Sequence, residues 1–175
     1  LYDPTRLINL DRKTGKIKWE ITPGRLFEDF EGGIFTGVPI IKEGKVYIVV
    51  RTMAQQLGSD YLVAIDLQDG HIVWQQYLAS SAVGRGSYWL PNIQPMWYEG
   101  ELFVTSPLGC IASLDARSGL VNWLRVMSPE PDSFRFTEPK VWAYNIPLMT
   151  SSGLITFTPD QHAIVVLDPF SGKTN

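Results

Sequence analysis

Cysteine, histidine and serine are the side chains best able to do chemistry alone, and in this sequence none of them stands in a reactive arrangement. The single Cys110 excludes an internal disulfide, a four-cysteine zinc site and a c-type haem attachment pair. Its neighbours Ile111 and Ala112 predict a buried structural thiol. His71 and His162 have no second histidine or cysteine at ligand spacing, so both are expected at the surface. Ser80-Ser81 and Ser151-Ser152 lack the Gly-x-Ser-x-Gly elbow that presents a nucleophile. The run Glu28-Asp29-Phe30-Glu31-Gly32-Gly33 comes nearest to a metal loop. Calcium takes about six to eight oxygens from acids spaced alternately, so acids broken by Phe30 favour a solvated loop instead. No catalytic, cofactor-binding or metal-binding residue is assigned.

What does recur is a spacing. Asp11, Asp66, Asp115 and Asp168 are each followed four residues later by Gly15, Gly70, Gly119 and Gly172, and the first three also, eight residues on, by Trp19, Trp74 and Trp123. The fourth tryptophan would fall one position past Asn175. The Asp-to-Asp intervals of 55, 49 and 53 residues suit four short strands and their turns, and are too long for leucine-rich or ankyrin repeats. Pro39, Pro95 and Pro147 keep the same period, each five or six residues before Gly44, Gly100 and Gly153, and after each glycine comes a β-rich apolar run.

These landmarks predict strands near 38–42, 45–50, 61–66 and 72–76, equivalents about 50 residues on, and almost no helix. The fold class is therefore all-β: a propeller of four-stranded antiparallel blades, with three complete copies and the start of another. In each turn the Asp side chain can bond backbone two residues on, Thr14, Ser118 or Ser171 can assist, Asp69 fills that slot in the second copy, and Gly supplies the positive φ. A tryptophan at one place in every copy predicts a repeated packing task between neighbouring blades, because indole offers a large apolar face and one N–H to satisfy.

The pattern Ala-x-Asp-x-x-Thr-Gly-x-x-x-Trp resembles the tryptophan-docking motif of the PQQ-like propellers, and the resemblance runs from Leu7 to Lys173. It implies that residues 1–175 form part of a single propeller domain, within a ring of about seven or eight blades. The small-residue position is Ala64 and Ser113 in two copies but Asn9 and Val166 in the others, where looser docking is expected. Since an open arc would expose sheet edges, the segment is expected to belong to a longer polypeptide.

The same resemblance bears on activity. The family contains quinoprotein dehydrogenases, which stack PQQ against a vicinal cysteine pair or an aromatic ring and hold calcium through Glu, Asn and Asp, and cofactor-free BamB-like members. Without a Cys-Cys pair here, the resemblance implies no cofactor and a non-catalytic protein-binding scaffold in an envelope or extracytoplasmic assembly, periplasmic or equivalent. The alternative is a fragment of a PQQ- and calcium-dependent alcohol or sugar dehydrogenase. Partners would be other protein chains or the remaining blades of the parent.

With this strand order, segments 20–36, 51–60, 77–92 and 127–144 are expected as loops on one face, 51–60 being an insertion of about seven residues. They carry Arg25, Phe27, Phe30 and Phe136, and the candidate partner-binding residues Arg51, Arg85, Tyr88, Trp89, Arg135 and Trp142, an Arg and aromatic mixture of the kind that anchors interfaces. The loop 83–92 corresponds to the contact-bearing loop of BamB-like members. A net charge of −3 with scattered Lys and Arg leaves no footprint for nucleic acid or an anionic membrane. No apolar run approaches the roughly 18 residues of a spanning helix, and the absence of an initial Met or basic-apolar leader implies that any targeting segment was removed or lies outside these residues.

Overall fold

Each of the first three Asp-to-Gly turns joins two antiparallel strands in the computed structural model, which describes residues 5–28, 32–54, 57–82, 92–126, 144–158 and 163–174. The first copy contributes the hairpin β1 (Leu7–Leu10) and β2 (Ile17–Ile21), followed by the one-turn helix α1 (Pro23–Leu26). The second is a complete blade of β3 (Ile34–Lys42), β4 (Lys45–Ala54), β5 (Leu57–Asp66) and β6 (Ile72–Ala82), hydrogen-bonded in chain order. After the two-residue β7 (Asn92–Ile93), the third blade comprises β8 (Met96–Tyr98), β9 (Glu101–Ser106), β10 (Cys110–Asp115) and β11 (Val121–Val126). β12 (Tyr144–Asn145) precedes the fourth unit, formed by β13 (Leu148–Thr150), β14 (Gly153–Phe157) and β15 (Ile164–Leu167), to which Thr174 adds a bridge opposite Leu167.

Side chains alternate across a strand, and here both faces are covered, so the central strands are apolar throughout rather than alternately polar. Val46, Ile48 and Val50 of β4 point toward the first hairpin, with Leu7, Trp19 and Ile21, while Tyr47 and Val49 point toward Leu102, Val104 and Ala112 of the third blade. The third blade repeats the division: Phe103 and Ile111 face Leu154 and Leu167 of the fourth unit. Every interior therefore lies between two blades, which makes their packing mutual.

The turns are as the sequence requires. Asp11 Oδ1 accepts hydrogen bonds from the amides of Lys13 and Thr14 and from the Thr14 hydroxyl, and the Gly15 amide donates to the Asp11 carbonyl at 2.8 Å. Asp115 with Ser118 and Asp168 with Ser171 repeat this. In the second copy Asp69 accepts from the His71 amide as Thr14 does from Lys16. The four glycines sit at φ between 66° and 79°, a left-handed conformation open to glycine at little cost.

The strands of the second blade are longer than the landmarks predict, and one predicted loop is a correction. Residues 51–54 and 57–60, expected within an inserted loop, are strand instead: β4 and β5 pair from Lys45↔Asp66 through Ala54↔Leu57, so these residues prolong the hairpin. The segment expected to leave the blade at 77 remains in β6 to Ala82, paired with Leu57, and 34–36 already belong to β3. Once the β4–β5 hairpin is prolonged, β6 has backbone to pair with for its whole length.

Candidate functional site

The repeated tryptophans occupy repeated seats. Asn9, Ala64 and Ser113 stand directly opposite Trp19, Trp74 and Trp123 in the register, so a small residue there leaves room for the indole across the strand pair. Each indole then lies over the turn glycine of the next unit. A Cβ built on Gly70 would stand 3.1 Å from Trp19, on Gly119 2.6 Å from Trp74, and on Gly172 2.5 Å from Trp123. Each Nε1 donates to the carbonyl one residue after the next unit's aspartate: Trp19 to Leu67 at 3.0 Å, Trp74 to Ala116 at 3.2 Å and Trp123 to Pro169 at 2.7 Å. The rings are half-buried rather than fully enclosed, since one face packs on the glycine and the rest caps the interior edge. Asn9 does not loosen its seat, because its amide donates to the same Leu67 carbonyl at 2.9 Å.

Electrostatics of these turns follow from the same bonds. The Thr14 amide and hydroxyl hold Asp11 below the ordinary carboxylate range, as the Ser118 and Ser171 hydroxyls and amides do for Asp115 and Asp168. Burial pushes the Cys110 thiol up to about 12, so at neutral pH it packs as a protonated apolar group.

Near the far end of the prolonged hairpin lies a polar group that the sequence pattern did not reveal. Arg51 and Asp60 face each other across β4 and β5, with Nε to Oδ1 at 2.7 Å and Nη2 to Oδ2 at 2.8 Å. Ser106, at the end of β9 in the next blade, donates its hydroxyl to Asp60 Oδ2 at 2.6 Å and accepts from the Leu108 amide. All three side chains are buried. Arg51, expected as a partner-binding residue on a loop, is thus corrected: its guanidinium is spent inside the protein on Asp60, and Asp60 in turn ties the hairpin to the third blade through Ser106. The available signal was the pairing of opposite charges nine residues apart around a hairpin.

Beyond this clamp Met53 and Leu57 are about half exposed. Further toward the inner ends of the blades, β7 and β12 pair in parallel, and β3 approaches so closely that a Cβ on Gly37 would lie 2.2 Å from the Ile93 carbonyl oxygen.

Of the other candidates, Arg85, Tyr88, Trp89, Arg135 and Trp142 lie outside the described residues, as do Phe30, Phe136 and His162. Arg25 and Phe27 are exposed at α1, and His71 is exposed at its turn. Among the described residues no three His, Cys, Asp or Glu side chains gather where they could hold a metal ion, and no helix is long and apolar enough to cross a membrane.

The sequence profile of the family described as outer membrane protein assembly factor BamB matches residues 2–135. No curated protein matches the sequence. Among solved structures, the chain is similar to BamB from Moraxella catarrhalis, with a TM-score of 0.56 and 21% identity over 91% of this chain and 39% of that one. It is similar also to a europium-containing methanol dehydrogenase, at 0.64 and 18% over 97% of this chain and 37% of that one. The quinohemoprotein alcohol dehydrogenase of Comamonas testosteroni gives 0.62 and 19% over 97% and 32%. The chain spans less than two fifths of each of these structures. At such identities the likeness is one of fold.

Proposed function

The chain belongs to the PQQ-like propeller family whose profile carries the BamB description, and from that premise we propose that it is a non-catalytic scaffold that binds other protein chains in an envelope-associated, periplasmic or equivalent assembly. The observation that carries the reading is the profile match over residues 2–135. The arrangement of polar groups supports it: Arg51 and Ser106 both bond Asp60 and stiffen the β4–β5 hairpin, which is a positioning task rather than a chemical one. A rigid blade displaying variable connections is the usual platform for recognition.

The candidate contacts outside the described residues, Arg85, Tyr88, Trp89, Arg135 and Trp142, remain part of this proposal. Its test is capture of partner chains from an envelope extract by the parent protein, followed by mass spectrometry. Arg85→Ala combined with Trp89→Ala should weaken capture about tenfold or more while the fold is retained, as expected when an Arg and an aromatic anchor are lost together. Equal capture by the double variant would overturn the assignment of that loop.

A second reading, a fragment of a PQQ- and calcium-dependent dehydrogenase, draws on the similarity to the two alcohol-oxidising enzymes. The described residues do not fit such a site. The single thiol is buried and protonated, and among the described residues no acid cluster suited to a cation is gathered. On this reading the ligands would come from other parts of the parent. Dye reduction with an alcohol or sugar after addition of PQQ and calcium, together with a co-purifying quinone absorbance, would favour it over the scaffold.

A further inference from the structure

A chain built of alike blades can stack the wrong ones together, skipping a blade or taking one from a second copy, and such misassembly and swapping are the characteristic failures of repeat proteins. The tryptophan seat does not prevent this, because it is the same at each interface. What differs from one interface to the next is a buried polar pair. Between the second and third blades Ser106 donates its hydroxyl to Asp60 at 2.6 Å, and between the third blade and the fourth unit the hydroxyls of Thr105 and Thr156 share a hydrogen bond at 2.7 Å. Thr105 is 0% and Thr156 2% exposed.

The register shows what stands in place of each pair at the other interface. Val49 and Thr105 hold the same position, each opposite the residue four before the repeated aspartate, Leu62 and Ile111. Val104 and Thr156 likewise stand opposite Ala112 and Val165, three before it. So where the third blade meets the fourth unit through two hydroxyls, the second meets the third through Val49 and Val104, both fully buried in one apolar cluster. In the position of Asp60 the third blade has Gly109, which offers no side chain. In the position of Ser106 the fourth unit has Thr158, whose hydroxyl is engaged with the Ala163 carbonyl of its own unit at 3.3 Å.

We propose that the buried pairs Asp60–Ser106 and Thr105–Thr156 form a stacking key, which admits the native order of blades and rejects the others. The fourth unit set on the second blade would bring the Thr156 hydroxyl against Val49 and Asp60 against Thr158. A third blade from a second copy, set on the third blade, would bring Thr105 against Val104. Each leaves a hydroxyl beside an apolar neighbour that cannot satisfy it, and a buried polar group without a partner lowers the folding equilibrium constant about tenfold to a hundredfold. Matched pairs, polar or apolar, are close to equivalent in stability, so the difference between the interfaces serves specificity. Thr105 is the sensitive member. Among the described residues its hydroxyl bonds Thr156 alone, whereas the Thr156 hydroxyl also reaches the Phe157 carbonyl at 3.4 Å. The inference is independent of the scaffold reading.

The test uses the parent protein, with urea unfolding read by circular dichroism and the refolded material sorted by size-exclusion chromatography at rising protein concentration. Thr156→Val strands the Thr105 hydroxyl and should lower the folding constant about tenfold or more. Thr105→Val should cost less, because Thr156 keeps the Phe157 carbonyl, and the two together should return to within about threefold of the unaltered protein. That double variant makes the two interfaces alike at this position. It should therefore refold with a larger fraction of swapped dimer than the unaltered protein, although its stability is nearly the same. Thr105→Ser with Thr156→Ser keeps both hydroxyls and should refold to the unaltered monomer fraction. Strict additivity of the two valine substitutions overturns the proposal, and so does a double valine variant that refolds with no more dimer than the unaltered protein. Should the single variants fail to fold, Val49→Thr carries the same test at the other interface: it should lower the folding constant about tenfold, and adding Val104→Thr should restore most of the loss. No restoration there likewise overturns the proposal.

Discussion

Replacing Gly119 with alanine separates two reasons for a glycine that the sequence alone superimposes. Gly119 and Gly44 both close turns in the left-handed region, at φ of 76° and 73°, yet a Cβ on Gly119 would stand 2.6 Å from Trp74 Cδ2 and 2.7 Å from Cε3, whereas one on Gly44, within the complete second blade, meets nothing within 4 Å. The left-handed conformation costs alanine about 1–2 kcal/mol at either site. Only at Gly119 must the indole also move. A displaced, half-buried indole forfeits about 1–3 kcal/mol of packing, and the bond to the Ala116 carbonyl, 3.2 Å long, is worth about 1 kcal/mol. Gly44→Ala should therefore cost about 1–2 kcal/mol and Gly119→Ala about 3–6. The assay is urea unfolding followed by tryptophan fluorescence and by far-ultraviolet circular dichroism. A double-mutant cycle completes it: with Trp74→Ala present the clash vanishes, and the cost of Gly119→Ala should fall to that of Gly44→Ala. Equal costs for the two single variants, or strict additivity in the cycle, would refute the claim that the turn glycine is a seat for the neighbouring indole.

The buried clamp makes a prediction of its own: Asp60→Ala strands the Arg51 guanidinium and should cost about 3–5 kcal/mol, whereas Ser106→Ala, which leaves the ion pair intact, should cost about 1–2, both read from denaturant midpoints. Acid should loosen the Asp-to-Gly turns. Because Asp11, Asp115 and Asp168 titrate below their unfolded value of about 3.9, their contribution is full above that pH and is lost as pH falls through the lower folded values. Carboxyl carbon NMR should show the Asp115 midpoint rising toward the ordinary value in Ser118→Ala. Cys110, buried between the second and third blades with its thiol pushed up to about 12, should react with a thiol reagent at neutral pH only as fast as those blades part. Fast reaction in the folded protein would contradict its placement. Gly37→Ala should speed that reaction, since its Cβ would fall 2.2 Å from the Ile93 carbonyl at the inner contact of the same two blades.

Features carried by bonds over a few residues were legible in the sequence. The Asp side chain bonds amides two and three positions on, and the glycine amide returns to its carbonyl, so the motif encodes its own turn and, repeated at a fixed period, its own blade. The tryptophans were legible as a repeated packing residue, but not their destination. Each indole N–H reaches a carbonyl 42 to 48 residues away, in a unit that only the stacking of blades brings near. Arg51 shows the limit most clearly. Its type and position suit a surface contact, and its burial depends on the pairing of β4 with β5 reaching Asp60 and on Ser106 arriving from another blade. The length of β6 was hidden for a related reason: how far a strand runs is set by how long its partner continues to offer backbone groups, and the prolonged β4–β5 hairpin offers them to Ala82. Local hydrogen-bond chemistry fixes turns and periods from the sequence, whereas register and blade stacking decide which polar groups are buried together and which edge is left open.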